Sequence, residues 1–204
     1  MDVAQVARAD AYIGPSFSRE DLYIELSNGD KWYPGRDNNS VSIENLAHAL
    51  SNLCRFTGHC RRFYSIAEHS VKVSYLVPTL TGLMHDAHEA LTNDLSKPVK
   101  VYLAGSYAEL ERAAEQQIAK QYSLTIPHGP VIKEADIIMC LIEAFDLLPS
   151  KGKSWGYYGE LRPRAMELYV ERPELRAQCW DPDKACEEFM VRYMELLAEE
   201  RARE

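Results

Sequence analysis

The stretch His85-Asp86-Ala87-His88-Glu89 stands near the end of an apolar run, and the interpretation of the whole chain starts from it. An adjacent histidine and aspartate inside an otherwise apolar helix are costly to bury unless a partner such as a metal ion satisfies them. Imidazole nitrogen together with carboxylate oxygen suits Mn, Fe, Co, Ni or Zn better than Ca. The stretch therefore predicts a divalent transition metal in a helical domain, with Mg left open.

Helix start signals lie on both sides of this stretch. Ser65-Ile66-Ala67-Glu68 is a capping box that opens a predicted helix to about Val77, and the next predicted helix, 79–91, carries the His-Asp pair. Ser106-Tyr107-Ala108-Glu109 is a second capping box, before a predicted helix to about Tyr122. Further helices are predicted at 43–53, from Gly129-Pro130 to about Leu148, and from about Asp183 to Glu200.

The first forty residues have a different pattern from the rest. Two strand-like segments, 22–26 and 31–33, flank an Asn-Gly turn at 28–29, which indicates a small hairpin. We therefore expect a mainly α fold, with a helical core at 41–204 and an extension at 1–40 whose β-hairpin packs on that core.

The composition is that of one globular domain, with 204 residues of which 46% are hydrophobic and 26% charged. No apolar run approaches the roughly 20 residues of a membrane helix, and the N-terminus lacks the pattern of an export signal. Five cysteines without a C-x-x-C pair favour a reducing compartment over a disulfide framework or a zinc ribbon. We therefore expect a cytoplasmic protein with no membrane partner.

The net charge of -8 argues against a nucleic-acid polymer as partner. Between Ser51 and Lys72, however, the only acid is Glu68, and the basic residues are Arg55, Arg61, Arg62 and Lys72. A local basic patch on an acidic protein suits a small anionic ligand, although ordinary clustering of surface charges is the simpler explanation of the patch alone.

A catalytic metal needs several protein ligands and an open position for water or substrate. His69 lies on the predicted helix before the one that carries His85 and Asp86, and it is the natural third ligand. Asp136 is the best candidate for the fourth, because its C-terminal neighbours are apolar and an unpaired carboxylate there would be unfavourable. Glu143 lies two turns further along the same predicted face and could hold a ligand in place.

The order His69, His85-Asp86, Asp136 in an all-helical chain resembles the HD-domain metal-dependent phosphohydrolase superfamily. The stretch 85–100 is similar to bacterial 5'-deoxynucleotidases of the YfbR type. The stretch 43–70 is similar to compact HD hydrolases of phages and bacteria, which include phage dATP triphosphohydrolases. The resemblance covers nearly the whole chain, and it implies an HD-domain bundle with these metal ligands: His69, His85, Asp86 and Asp136.

The resemblance also implies that Glu89 and Asp94 act around the scissile phosphate. Glu89 lies four residues after His85, hence on the same face of the predicted helix, where it could position a water molecule or take its proton. Asp94 would act on the side of the leaving group. A divalent ion would lower the pKa of bound water and polarise the phosphoryl oxygens.

Basic and aromatic side chains are expected to contact the substrate. Arg55 matches an arginine that contacts phosphate in the nucleotidase branch, and Phe56 stands where that branch has tryptophan. Trp155, in a Gly-rich loop at 149–160, could close over a nucleobase, with plain packing as the alternative. The remaining candidates for phosphate binding are Arg62, Lys97, Lys100 and Lys133. For each of them, a solvated basic side chain that binds no ligand is an equal alternative.

The resulting hypothesis is an enzyme that hydrolyses the phosphate end of a deoxynucleotide. The similarity of 55–70 to the phage group favours release of triphosphate from a dNTP, above all dATP, to give the deoxynucleoside. Release of phosphate from a dNMP is the alternative reaction, and a non-catalytic nucleotide-binding HD protein is the alternative from another class. The compact relatives imply a homo-oligomer from a phage or a bacterium.

Overall fold

The computed structural model describes residues 21–36, 38–103, 105–156 and 159–203, and in this part of the chain nine α-helices follow a two-stranded hairpin. The prediction of a mainly α fold with a small N-terminal hairpin is confirmed. The strands are β1 (Ile24–Glu25) and β2 (Lys31–Trp32). The helices are α1 (Ile43–Asn52), α2 (Ile66–Leu76), α3 (Leu80–Leu83), α4 (Glu89–Thr92), α5 (Lys97–Leu103), α6 (Gly105–Tyr122), α7 (Pro130–Leu147), α8 (Arg162–Glu171) and α9 (Pro182–Arg201).

The hairpin turns where the sequence predicts it. Gly29 has a φ of 86°, a left-handed conformation that glycine adopts without steric strain. Trp32 is buried, and its Nε1 donates to Gln117 Oε1 on α6 at 3.0 Å, so the hairpin is anchored to the bundle. Of the predicted extension 1–40, residues 1–20 lie outside the described residues, and the division of the chain at residue 40 stays a prediction.

Helix α2 lies at the centre of the bundle. Ser65 caps it as predicted, because its Oγ accepts a hydrogen bond from the backbone N–H of Glu68 at 3.0 Å. Every residue from Ile66 to Ser74 is buried. Ile66 and Val71 belong to a core shared with α1 and α9, whereas Val73 belongs to a second core shared with α7 and α8. Both cores therefore depend on α2.

A buried carboxylate ties α2 to the segment before α9, and we call this contact the Glu68 clamp. Instead of completing the capping box, Glu68 accepts the backbone N–H groups of Gln178, Cys179 and Trp180 at 2.7, 3.2 and 2.8 Å. Lys72 Nζ lies 3.7 Å from Glu68 Oε1. Burial raises the pKa of Glu68, and Lys72 and the three N–H groups oppose that rise. The clamp thus satisfies a charge that the core would otherwise exclude.

The predicted continuous helix over 79–91 is wrong. Helices α3 and α4 are separated by turns at 84–88, so His85 and Asp86 lie in a break between them. His85 Nδ1 is 3.0 Å from the carbonyl oxygen of Gly82, and a continued α-helix would give that carbonyl to the backbone N–H of Asp86. The side chain competes with the helix for this acceptor, which favours a break here.

Three further helices differ from the sequence-based expectation. Helix α5 begins at Lys97, within the segment 93–98 that lacks periodicity, and α6 already includes Ser106, so the second capping box is wrong as a helix start. Helix α8 has only a weak apolar stripe, with Ala165 and Leu168 buried, and the sequence pattern did not indicate it.

Among the described residues, no helix is both long and apolar enough to cross a membrane.

Replacing Glu68 with alanine should lower the free energy of unfolding by about 3–5 kcal/mol, because Lys72 and three backbone N–H groups lose their buried partner. Urea unfolding followed by circular dichroism measures this change. The matched control is Glu167→Ala, which removes an exposed ion pair with Arg164 at 3.1 Å and should change the stability by less than about 0.5 kcal/mol. Equal losses of unfolding free energy in the two variants would contradict a stabilising role of the clamp.

Candidate metal centre

Four side chains from three parts of the chain converge on one point. His69 comes from α2, His85 and Asp86 from the break before α4, and Asp136 from α7. The Nε2 atoms of the two histidines are 3.3 Å apart, and Asp86 Oδ2 lies 3.2 Å from His85 Nε2. Asp136 Oδ1 lies 3.2 Å from His69 Nε2. One ligand atom from each residue lies within 4.8 Å of all the others, so the structure brings the four predicted ligands together.

The hydrogen bonds behind the two imidazoles determine what their Nε2 atoms offer. His69 Nδ1 is 2.6 Å from Glu143 Oε1, and His85 Nδ1 is 3.0 Å from the carbonyl oxygen of Gly82. Both acceptors require a proton on Nδ1, so each neutral ring presents a bare Nε2. Two nitrogen lone pairs and two carboxylates facing one another repel unless a cation lies between them. This donor set fits a divalent transition metal.

Glu143 is the fully buried acceptor that orients the first of these rings. It accepts hydrogen bonds from Arg55 Nε at 3.1 Å, from Tyr64 Oη at 3.0 Å and from His69 Nδ1. Burial would raise the pKa of Glu143, but Arg55 and His69 outweigh that effect and lower it. The carboxylate is therefore ionised at neutral pH, and it occupies the position where the sequence suggested a residue that holds a ligand.

The ligand candidates differ in their protonation. Burial opposes ionisation of Asp86, yet His85, His69 and Arg55 hold the pKa of Asp86 well below its usual range. The pKa of Asp136 is also lowered, against the effect of burial, by its hydrogen bond to His69. Burial and Arg55 act to lower the pKa of His69, but Glu143 and Asp136 raise it to about 10. A proton thus competes with a metal ion for His69 Nε2.

Glu89 and Asp94 lie beside these ligands. The predicted common helix face of His85 and Glu89 does not exist, because the helix is broken between them, but Glu89 lines the same cavity as Asp86. Burial and then repulsion from Asp86 and Asp94 raise the pKa of Glu89 well above its usual value. Burial likewise raises the pKa of Asp94, and Arg55 opposes that rise. Glu89 can therefore hold a proton at a pH where an exposed glutamate cannot.

A cavity of about 570 Å³ opens over the ligand candidates, within the size range of small-molecule sites. Its floor includes Asp86 and Asp136. Phe56 and Trp155 form one wall and stack with ring centroids 6.2 Å apart at an angle of 29°. The other predicted site residues that line it are Arg55, Glu89, Asp94, Lys97 and Lys100.

A second group of potential ligands lies next to the first. His88, Glu89 and Glu111 also offer ligand atoms within 4.8 Å of one another. The ammonium group of Lys100 lies 2.7 Å from Glu111 and 3.3 Å from Glu89. Lys100 thus supplies positive charge to these acids, which is a different arrangement from the phosphate contact expected of it.

Two of the predicted substrate contacts lie elsewhere. Arg62 donates to the carbonyl oxygen of Gln178 at 3.3 Å and lines a separate cavity. Lys133 is exposed on α7 and is not among the described residues that line the first cavity. The sequence-based interpretation missed Tyr64 and also His128, whose Nε2 lies 3.0 Å from the carbonyl oxygen of His85. Tyr64 directly precedes the capping box at Ser65, but that motif does not indicate a contact with Glu143, and His128 has no motif around it, so only the tertiary contacts reveal these two roles.

Metal affinity should increase with pH. Because the pKa of His69 is raised to about 10, its Nε2 carries a proton below that pH, and the proton must leave before a metal binds. Between about pH 6 and pH 8 we expect the association constant for Mn²⁺ or Co²⁺ to rise about tenfold per pH unit, measured by calorimetric titration. In Glu143→Gln the charge that raises this pKa is lost, so the slope should be shallower. A wild-type association constant that does not change with pH would contradict the competition between the proton and the metal ion.

Comparison with known proteins gives three relatives, and no family model matches the sequence. A 5'-deoxynucleotidase of Vibrio atlanticus is 36% identical over 83 residues, which are 39% of this chain and 42% of that protein. An uncharacterized protein of Rhodobacter capsulatus is 30% identical over 120 residues, 51% of this chain and 61% of the relative. The uncharacterized protein YfdR of Escherichia coli is 36% identical over 137 residues, 65% of this chain and 76% of YfdR. Because the match extends over three quarters of YfdR, the chain belongs to the same family as that protein.

Proposed function

We propose that this protein is a divalent-metal-dependent phosphohydrolase of the HD-domain type that acts on deoxynucleotides. The observation that carries the proposal is the convergence of two imidazoles and two carboxylates, each imidazole oriented by an acceptor behind it, beside a cavity that the two carboxylates line together with Arg55, Lys97 and Lys100. The partial similarity to a 5'-deoxynucleotidase supports a deoxynucleotide as the substrate class.

The metal would be held by His69 and His85 through Nε2 and by one oxygen each of Asp86 and Asp136. When bound, a divalent ion supplies a lowered pKa of coordinated water and stabilises negative charge on phosphoryl oxygens. Glu143 and the carbonyl of Gly82 each accept a hydrogen bond from Nδ1, so the Nε2 atom of each neutral ring presents a lone pair, in His69 after its proton has left. These bonds fix the ligand geometry before any metal arrives.

Glu89 would transfer the proton in the reaction. Its raised pKa lets it take a proton from the attacking water or return one to the leaving oxygen near neutral pH. Lys100 holds Glu89 Oε1 at 3.3 Å, while Oε2 is buried without a hydrogen-bond partner among the described residues. The second oxygen thus has no hydrogen bond to break if the carboxyl group turns towards a substrate or a water molecule in the cavity that Glu89 lines. Asp94, in the same cavity, would act on the side of the leaving group.

The remaining lining would bind the two ends of a nucleotide. Arg55 Nη1 lies 3.7 Å from Asp86 Oδ2, which puts the guanidinium beside the ligand candidates, where it can bind a phosphoryl oxygen. Lys97 lines the cavity with it. The stacked rings of Phe56 and Trp155 provide an apolar wall for the nucleobase.

The charge of the cavity favours a monophosphate. The lining has three basic side chains, Arg55, Lys97 and Lys100, and four acids, Asp86, Glu89, Asp94 and Asp136. With a divalent ion added, the site would be only weakly positive, which suits the charge of roughly -2 on one phosphate better than the larger charge of a triphosphate. We therefore favour release of phosphate from a dNMP over the dATP reaction that the similarity to the phage group favours.

A product assay tests the proposal. The protein with Mn²⁺ or Co²⁺ should release inorganic phosphate from dAMP, and EDTA should abolish the release. The same assay on dATP, with phosphate and triphosphate separated by chromatography, decides between the two reactions. Turnover of neither substrate class, together with measurable nucleotide binding, would contradict the enzyme and leave a non-catalytic binding protein. Homo-oligomer formation stays a prediction.

Replacing Glu89 with glutamine should lower kcat about 10²–10⁴-fold, because the amide cannot transfer the proton. The metal content, measured by elemental analysis, should not change, since Glu89 is not one of the four ligand candidates and the ammonium group of Lys100 already supplies positive charge to the second group, which contains Glu89. Glu109→Gln is the matched control, an exposed glutamate on α6 whose substitution should leave kcat unchanged. Loss of metal in Glu89→Gln would show that its role had been misassigned.

A further inference from the structure

A second cavity, of about 430 Å³, lies outside the candidate metal centre. It shares no lining residue with the first cavity. Both cavities reach the end of α7, where Leu147 lines this cavity and Leu148 lines the first. Three arginines line it: Arg61, Arg62 and Arg176. Such a concentration of positive charge is unexpected on a protein with a net charge of -8.

We propose that this arginine cavity is a second binding site for a phosphate group, carried by inorganic phosphate or by a nucleotide. Guanidinium groups bind phosphate oxygens with paired, charge-assisted hydrogen bonds, and three of them around one cavity can surround a single phosphate. The volume falls in the range of small-molecule sites, so there is room for more than the phosphate group alone.

The pairing of the charges supports an anionic ligand. In the described ranges, none of the three guanidinium groups lies within 4.0 Å of a carboxylate oxygen. One acid, Asp146, lines the same cavity, but neutral donors satisfy it: Tyr169 Oη donates to Oδ1 at 2.8 Å, and the backbone N–H of Ala177 donates to Oδ2 at 3.0 Å. The positive charge in the cavity lining therefore exceeds the negative charge, and no carboxylate of the described residues lies within 4.0 Å of a guanidinium nitrogen of these arginines.

Neutral contacts hold the side chains of Arg176 and Arg62 and the backbone of Arg61. Arg176 Nε donates to the carbonyl oxygen of Tyr169 at 2.9 Å, and its guanidinium lies over the Tyr169 ring at 4.7 Å. Arg62 Nη2 donates to the carbonyl oxygen of Gln178 at 3.3 Å. The backbone N–H of Arg61 donates to the carbonyl oxygen of Leu147 at 3.0 Å. Each guanidinium keeps further N–H donors that a ligand can use.

Backbone hydrogen bonds position the wall of the cavity. Arg176 and Ala177 come directly before the three residues that the Glu68 clamp fixes by their backbone N–H groups. The Arg61 bond to Leu147 joins the opposite wall to the end of α7. A site whose backbone is already positioned loses less conformational entropy on binding, which strengthens affinity.

Calorimetric titration of the full chain tests the site, with inorganic phosphate and dAMP as separate probes. The parent protein is Glu89→Gln, in which turnover is slow. In this background the double variant Arg61→Gln/Arg176→Gln should weaken one binding event at least about tenfold for both probes. Arg55→Gln should weaken the other event, at the candidate metal centre, and leave this one intact. The result does not depend on turnover, so it can fail or succeed separately from the proposed phosphohydrolase.

The matched control is the double variant Arg164→Gln/Arg203→Gln, which also removes two positive charges, from exposed ion pairs outside the cavity, and should change affinity less than about twofold. Equal weakening by this control, or an unchanged cavity double variant, would overturn the proposal. If circular dichroism shows that the cavity double variant is unfolded, Arg61→Gln decides, because that side chain is exposed. Equal weakening for both probes identifies the phosphate group as the recognised part, and a larger effect on dAMP identifies a nucleotide.

Discussion

The buried carboxylate of Glu143 is the interaction on which the rest of the site depends. It joins α7 to α2 through His69, and it neutralises Arg55, which approaches from the segment between α1 and α2. Tyr64 donates the third hydrogen bond, so both carboxylate oxygens have partners inside the core. A buried charge of this kind is tolerated only while all its partners are present. The orientation of the imidazole and the packing of the core are therefore one arrangement.

Local chemistry made part of the molecule predictable. Ser65 as a cap, Pro130 in the first turn of α7 and Asp181 before α9 each act within one turn of chain, so the sequence contains the whole signal. The four ligand candidates were recognisable for a related reason: polar side chains among apolar neighbours need partners, and such partners are few.

The parts that could not be predicted depend on contacts between distant segments. The break at 84–88 follows from competition for one carbonyl, which an apolar pattern does not record. Arg55 and Arg62 are seven positions apart and were both candidates for phosphate contact, yet they line different cavities. Glu68 reads as half of a capping box, but its partners lie more than a hundred residues away. Pattern reasoning finds which side chains need a partner and not where the partner is.

Gly82 is a position at which the geometry of the site restricts the sequence. Its carbonyl orients His85, and a Cβ at this position would collide with the carbonyl oxygen of Val77, so a larger residue must displace the turn that ends α2. Position 82 has no side chain and is not a ligand candidate, yet its tolerance to substitution should be as narrow as that of the ligand candidates themselves. Divergence in this family is then limited at a residue that motif searches built on reactive side chains ignore.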